Sequence, residues 1–164
     1  MRQFNGKTVV YGITGGIAAY KAPLVIRLLK KAGCEVVPVV TAAAREFVTP
    51  LTLQTVAEGP VYGEMFTPLT PGAHNVEHVA LAQRADLLLI APLSANTLAK
   101  LATGQADNLL TCTYLATAAP TLICPAMNTG MWQHAATQAN IELLKQRGAL
   151  VLEPASGMLA CGVE

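Results

Sequence analysis

The feature that most constrains this chain is a repeated order: a short apolar, β-branched run, a glycine or polar turn, then apolar residues at helical spacing. The first run is KTVVYGI, residues 7–13. It leads through glycines into GGIAAYKAPLVIRLLKKAG, where Ala22, Val25, Leu29 and Ala32 recur at helical intervals. Gly33 stands where helices commonly stop on a left-handed residue, and CEVVPVV then reads as a second buried strand. The order returns in DLLLIAP followed by SANTLAKLA and DNLLTCTYLATAA. It returns again in TLICPAM, followed by a helix ending near IELLKQRG, before ALVLE. Strands apolar on both faces, with helices between them, need a parallel sheet covered on both sides. The expectation is one α/β domain, a Rossmann-like or flavodoxin-like doubly wound parallel sheet, with no internal repeat, low-complexity tract or linker.

Composition bounds what such a domain does. The 164 residues are 52% hydrophobic and 13% charged, with a mean hydropathy of +0.43. That is more apolar surface than a monomer of this size usually covers, so self-association is expected. The apolar runs fall well short of the roughly 20 residues of a membrane span. MRQFNGKTVV has no apolar signal segment, which predicts a cytoplasmic protein. The net charge is +1 and the basic residues are scattered, the densest pair being Lys30 and Lys31, so nucleic acid is not indicated. Cys34, Cys112, Cys124 and Cys161 form no C-x-x-C pair. Three of them sit in apolar surroundings and read as core.

In an open parallel sheet, ligands bind outside the carboxyl ends of the strands. The informative loops are therefore TGGIAA, TAAA, PLSANT and PAMNTGMW. Gly15 and Gly16 would let backbone N–H groups approach a phosphate at a helix start, although such turns also serve packing, and both the full G-x-G-x-x-G spacing and the P-loop lysine are missing. Thr41 stands at the end of the second strand, where a dinucleotide site would usually place an acid, so a mononucleotide suits better. Ser94, Asn96 and Thr97 can cap the next helix or bond a phosphate or ribose. Asn128, among Met127, Met131 and Trp132, offers a donor and an acceptor, but is equally a common N-cap.

Residues 61–78 lack periodicity and read as a surface loop near the site. His74 lies in its Pro-Gly stretch, His134 lies on the last long helix, and His78 directly precedes VALAQRAD. No His-x-x-x-His spacing suggests a metal, and no G-x-S-x-G suggests a serine nucleophile.

Read together, GITGGIAAYK, EHVALAQRAD, PLSANTLAKLATGQADNLL, PAMNTGMW and ACG resemble, in order and along the whole chain, the homo-oligomeric flavin-containing cysteine decarboxylases. Within that family the likeness is to those acting on 4′-phosphopantothenoylcysteine in coenzyme A synthesis. The resemblance implies FMN, with its phosphate held by Gly15, Gly16 and Ile17. Thr41 and the stretch Ser94, Ala95, Asn96 and Thr97 would also touch the cofactor, and Met127 would line its ring. It implies a trimer, with the flavin at a subunit boundary, that can assemble further.

The resemblance also assigns catalytic roles. His78 would be the base for the substrate thiol, Asn128 would hold the carboxylate, and Cys161 would donate a proton; Met158, Leu159 and Ala160 would line the substrate. A thiol near its ordinary pKa of about 8.5 is mostly protonated at neutral pH, which suits that acid role. Glu77 stands directly before the histidine, where the family more commonly has a small residue. The implied reaction is flavin oxidation of the thiol, loss of carbon dioxide, and return of the electrons to the enethiolate, giving 4′-phosphopantetheine.

The resemblance implies one FMN-binding domain over residues 1–164. The chain stops before the glycine-rich clamp that usually follows A-C-G, and before the phosphopantothenate–cysteine ligase often fused to this domain. Peptidyl-cysteine decarboxylases share the flavin motifs but generally lack A-C-G. A catalytically silent flavoprotein subunit and a flavin prenyltransferase are the remaining alternatives, although no dimethylallyl phosphate site is visible.

Overall fold

The computed structural model describes residues 4–66 and 76–154. Five parallel strands, β1 (Thr8–Ile13), β2 (Glu35–Val40), β3 (Leu87–Leu93), β4 (Thr121–Pro125) and β5 (Leu150–Val151), form one sheet in the order β2-β1-β3-β4-β5. The chain winds outward from β1 to β2, crosses back to β3, and winds the other way. This is the doubly wound order expected, in its flavodoxin-like form.

Helix α1 (Ala22–Ala32) starts with Pro23 in its first turn, where the missing N–H costs nothing. It stops at Gly33, whose φ of 105° lets its N–H reach Leu29 O and Lys30 O. With α2 (Pro50–Ala57) it covers Val9, Tyr11, Ile13, Val36, Val40 and Leu89 on one face of the sheet, through Ala22, Ile26, Leu53 and Ala57. The opposite face, bearing Val10, Val37, Ile90 and Ile123, is covered by α3 (Glu77–Arg84), α4 (Ala95–Thr103), α5 (Leu109–Ala116) and α7 (Ala135–Gln146). Each fully buried Leu or Ile in these layers contributes about 1.5–3 kcal/mol. A short helix, α6 (Thr129–Gln133), joins β4 to α7. Among the described residues no helix is long and apolar enough to cross a membrane.

The amino edge is closed by ion pairs. Arg84 at the end of α3 meets Glu35 at the start of β2 (2.7 Å), and Lys7 meets Asp86 (2.8 Å). Arg84 therefore marks the amino edge, and α3 runs back from it so that its first turn faces the carboxyl side.

The sequence pattern missed α2. Its inward residues Leu53 and Ala57 are buried, but Leu51 is 73% exposed, so the apolar stripe is blurred. Residues 61–78 are also not a loop throughout. Tyr62 pairs with Val39, accepting the Val40 N–H and donating to Pro38 O, and α3 begins at Glu77. One-residue bridges and eight-residue helices are too short for periodicity to reveal. Cys34 and Cys112 are buried as read, and Cys124 is half-buried.

Candidate active site

Hydrogen bonds lace the carboxyl ends of β1, β2, β3 and β4 into one rim. Thr41, just after β2, donates its N–H to Ile13 O (3.1 Å). Thr14, just after β1, donates its hydroxyl to Pro92 O (2.7 Å), and that hydroxyl accepts the Ser94 N–H (2.8 Å). Ala126, just after β4, donates its N–H to Leu93 O (3.0 Å). The loops expected to matter thus begin side by side, around the crevice that opens where the strand order reverses between β1 and β3.

The two glycines after β1 have different reasons to be glycine. A Cβ on Gly15 would meet Ala43 Cβ at 2.5 Å and the Ala43 carbonyl carbon at 3.1 Å, so this position lets two loops touch. Gly16 is extended, and a Cβ there would meet nothing within 4 Å. The 3-10 turn Ile17–Lys21 follows, closed by the Ala19 N–H on Gly16 O (2.9 Å). Among the described residues the N–H groups of Gly16, Ile17 and Ala18 have no acceptor. Orphan donors beside open space are what an anion needs.

Several expected site side chains are already engaged. The Thr41 hydroxyl accepts the Ala44 N–H (3.3 Å) and caps the turn Ala42–Glu46. Ser94 caps α4, its hydroxyl accepting the Thr97 N–H (3.3 Å) and donating to Thr97 Oγ1 (3.3 Å). Thr97 itself is buried, whereas Asn96 is exposed on the first turn. Asn128 caps α6 by accepting the Gly130 N–H (2.9 Å). Met127 and Trp132 pack against the core, and Met131 is half exposed.

His78 lies half-buried in the first turn of α3. Among the described residues it is hydrogen-bonded to none of the rim side chains, and no ion pair joins it to Glu77. Glu77 instead sits where a carboxylate complements the helix N-terminus. His134 caps α7, its Nδ1 accepting the Ala136 N–H (3.2 Å). His74, Met158, Leu159, Ala160 and Cys161 lie outside the described residues.

A parallel sheet with a glycine turn at its switch point is shared by many nucleotide-binding chains. The Flavoprotein family model matches residues 1–164. The chain belongs to the Flavoprotein family. Among curated relatives, it is 45% identical over 162 residues to the coenzyme A biosynthesis bifunctional protein CoaBC of Vibrio vulnificus (strain YJ016), covering 99% of this chain and 40% of the relative. The chain thus spans about two fifths of the length of the curated relatives it matches. Among solved structures, the FMN-dependent cysteine decarboxylase SpaF superposes with a TM-score of 0.88 at 34% identity, covering 94% of this chain and 87% of SpaF. A PPC decarboxylase cysteine-to-serine mutant complexed with pantothenoylaminoethenethiol superposes with a TM-score of 0.85 at 33% identity, covering 95% and 86%.

One residue of the flavoprotein's rim escaped the sequence reading. Thr14 is fully buried and bonds β1 to the far end of β3. Its signal was a hydroxyl closing an otherwise apolar strand, directly before the glycines.

Proposed function

We propose that this chain carries out FMN-dependent decarboxylation of 4′-phosphopantothenoylcysteine to 4′-phosphopantetheine. The observation that carries this reading is 45% identity to CoaBC over 99% of the chain, against 34% to SpaF. The residues fit the cofactor: open space beside Gly16 and the orphan N–H groups after it suit a phosphate at the switch point. Gly15, Gly16 and Ile17 would hold that phosphate. Thr41, Ser94, Ala95, Asn96 and Thr97 would lie along the cofactor, and Met127 would face its ring. The Ser94 and Thr41 hydroxyls are spent on capping and their N–H groups on Thr14 Oγ1 and Ile13 O, so their share is to hold the two loops in place, while the exposed Asn96 amide is placed to reach the ligand.

When bound, FMN supplies a two-electron oxidation of the substrate thiol and later returns those electrons. His78 takes the thiol proton, and Asn128 holds the carboxylate through its amide. The oxidised substrate carries C=S β to that carboxylate, so the C–CO₂ bonding pair flows toward sulfur and carbon dioxide leaves. Cys161 then supplies the proton that the enethiolate carbon needs, and Met158, Leu159 and Ala160 line the substrate.

The domain spans residues 1–164 and, as 40% of the length of its CoaBC relative, is one part of a bifunctional chain that also carries a phosphopantothenate–cysteine ligase. Cys34, Cys112 and Cys124 are free thiols, in keeping with a cytoplasmic enzyme. The working unit is a homo-oligomer, a trimer or an assembly of trimers. On the sheet face under α1 and α2, no helix among the described residues covers β4 and β5: Leu122 and Cys124 are half-buried, and Leu150 and Leu152 are 58% and 61% exposed. A second copy is the natural cover for that face.

The test is mass spectrometry of the products from 4′-phosphopantothenoylcysteine with FMN-loaded protein. Saturated 4′-phosphopantetheine is expected from the native chain, and the unreduced enethiol from Cys161→Ser. Turnover of peptides ending in cysteine, with none of phosphopantothenoylcysteine, would transfer the chain to the peptidyl-cysteine class.

A further inference from the structure

We infer that Thr14 is the positioning residue of the cofactor site, the group that sets the distance between the phosphate turn and the start of α4. This rests on the reading that FMN lies across both. The ladder between β1 and β3 ends at Gly12 and Ile90, and β3 shifts register between Ile90 and Leu93. Beyond that point no strand pairing holds the two loops in register. The Thr14 hydroxyl does it instead, donating to Pro92 O at 2.7 Å and accepting the Ser94 N–H at 2.8 Å, while the Thr14 N–H reaches the same Pro92 O at 3.3 Å.

Both bonds are short and the side chain is fully buried, so neither water nor a rotamer change can replace them. One side of Thr14 continues into Gly15 and the orphan N–H groups. The other fixes Ser94, whose hydroxyl caps α4 and so orients Asn96 and Thr97. A ligand spanning the crevice needs both halves held at once, and preorganisation of this kind appears as affinity.

Thr14→Val keeps the shape and removes both bonds; Thr14→Ser keeps both. Thr113→Val is the matched control, since it deletes another fully buried hydroxyl, bonded within α5 to Leu109 O (2.8 Å). FMN dissociation constants of the apoproteins, read by flavin fluorescence, and their thermal midpoints are to be measured together. The expected result is FMN binding at least about tenfold weaker in Thr14→Val, with Thr14→Ser and Thr113→Val within about twofold of the parent.

Parent-like affinity in folded Thr14→Val, whatever its midpoint, would overturn the inference and leave Thr14 a fold-stabilising residue only. If Thr14→Val does not fold, Thr14→Ala is read by the same criterion. Asn96→Ala separates the placing of the cofactor from the role of Thr14. Normal FMN binding by it overturns the placing of the cofactor along α4, whereas weakened binding by it beside a normal Thr14→Val overturns the role of Thr14 alone.

Discussion

Gly15 and Gly16 are neighbours that answer to different forces. A methyl at Gly15 collides with the Ala43 side chain and backbone, so Gly15→Ala is expected to destabilise the fold by about 1–3 kcal/mol, seen as a lowered denaturation midpoint. A methyl at Gly16 meets open space, so Gly16→Ala is expected to fold normally and lose FMN affinity, because the added carbon enters the proposed phosphate site. A Gly16→Ala protein with unchanged FMN affinity would move the phosphate elsewhere. His78→Asn tests the proposed chemistry at the same scale: FMN loading should persist while carbon dioxide release disappears, since His78 and the proposed cofactor loops lie on different elements. Undiminished release would remove the assigned base. The sequence made these residues legible as types, a glycine pair and a histidine before an amphipathic segment. It did not say which glycine serves packing, because that depends on Ala43, 28 residues away along the chain.

Among the elements, caps and edge pairs carry the separable energies. Asn108 and Thr111 form a reciprocal capping box at the start of α5, and Asn108→Ala is expected to cost about 1 kcal/mol in chemical denaturation without touching FMN affinity. At the amino edge, the Lys7 side chain first, then the Thr8 N–H, hold the Asp86 carboxyl below its ordinary value of 3.8. A depressed folded value means the stabilisation is full above the unfolded value and lost as pH falls through the folded one. The stability difference between the parent and Asp86→Asn should therefore be constant near neutrality and shrink below about pH 4. A difference that stays level into acid would mean the ion pair contributes nothing. Long elements such as α1 and β3 were readable from spacing and runs. Short ones were not: α2 has an exposed Leu51 on its surface, and Tyr62 pairs as a single residue.

At the scale of the whole molecule, the exposed Leu150 and Leu152, on a sheet face that no helix among the described residues covers, are the feature that points beyond one chain. Leu150→Glu changes a residue already exposed in the single subunit, so the isolated fold should tolerate it, while an assembly using that face should fall to smaller species by light scattering. An unchanged mass would rule out this face as a contact between copies of the chain. The sequence by itself determined the alternating α/β order, the strand-end loops and, through ordered motifs, the family, because buried parallel strands and glycine turns leave local signatures. Only the tertiary structure decided the strand order, the Thr14 bridge across the switch point and the exposure of Leu150 at the edge of the sheet. Each of these depends on residues far apart in the chain meeting in space, and local periodicity carries no record of which strand lies beside which.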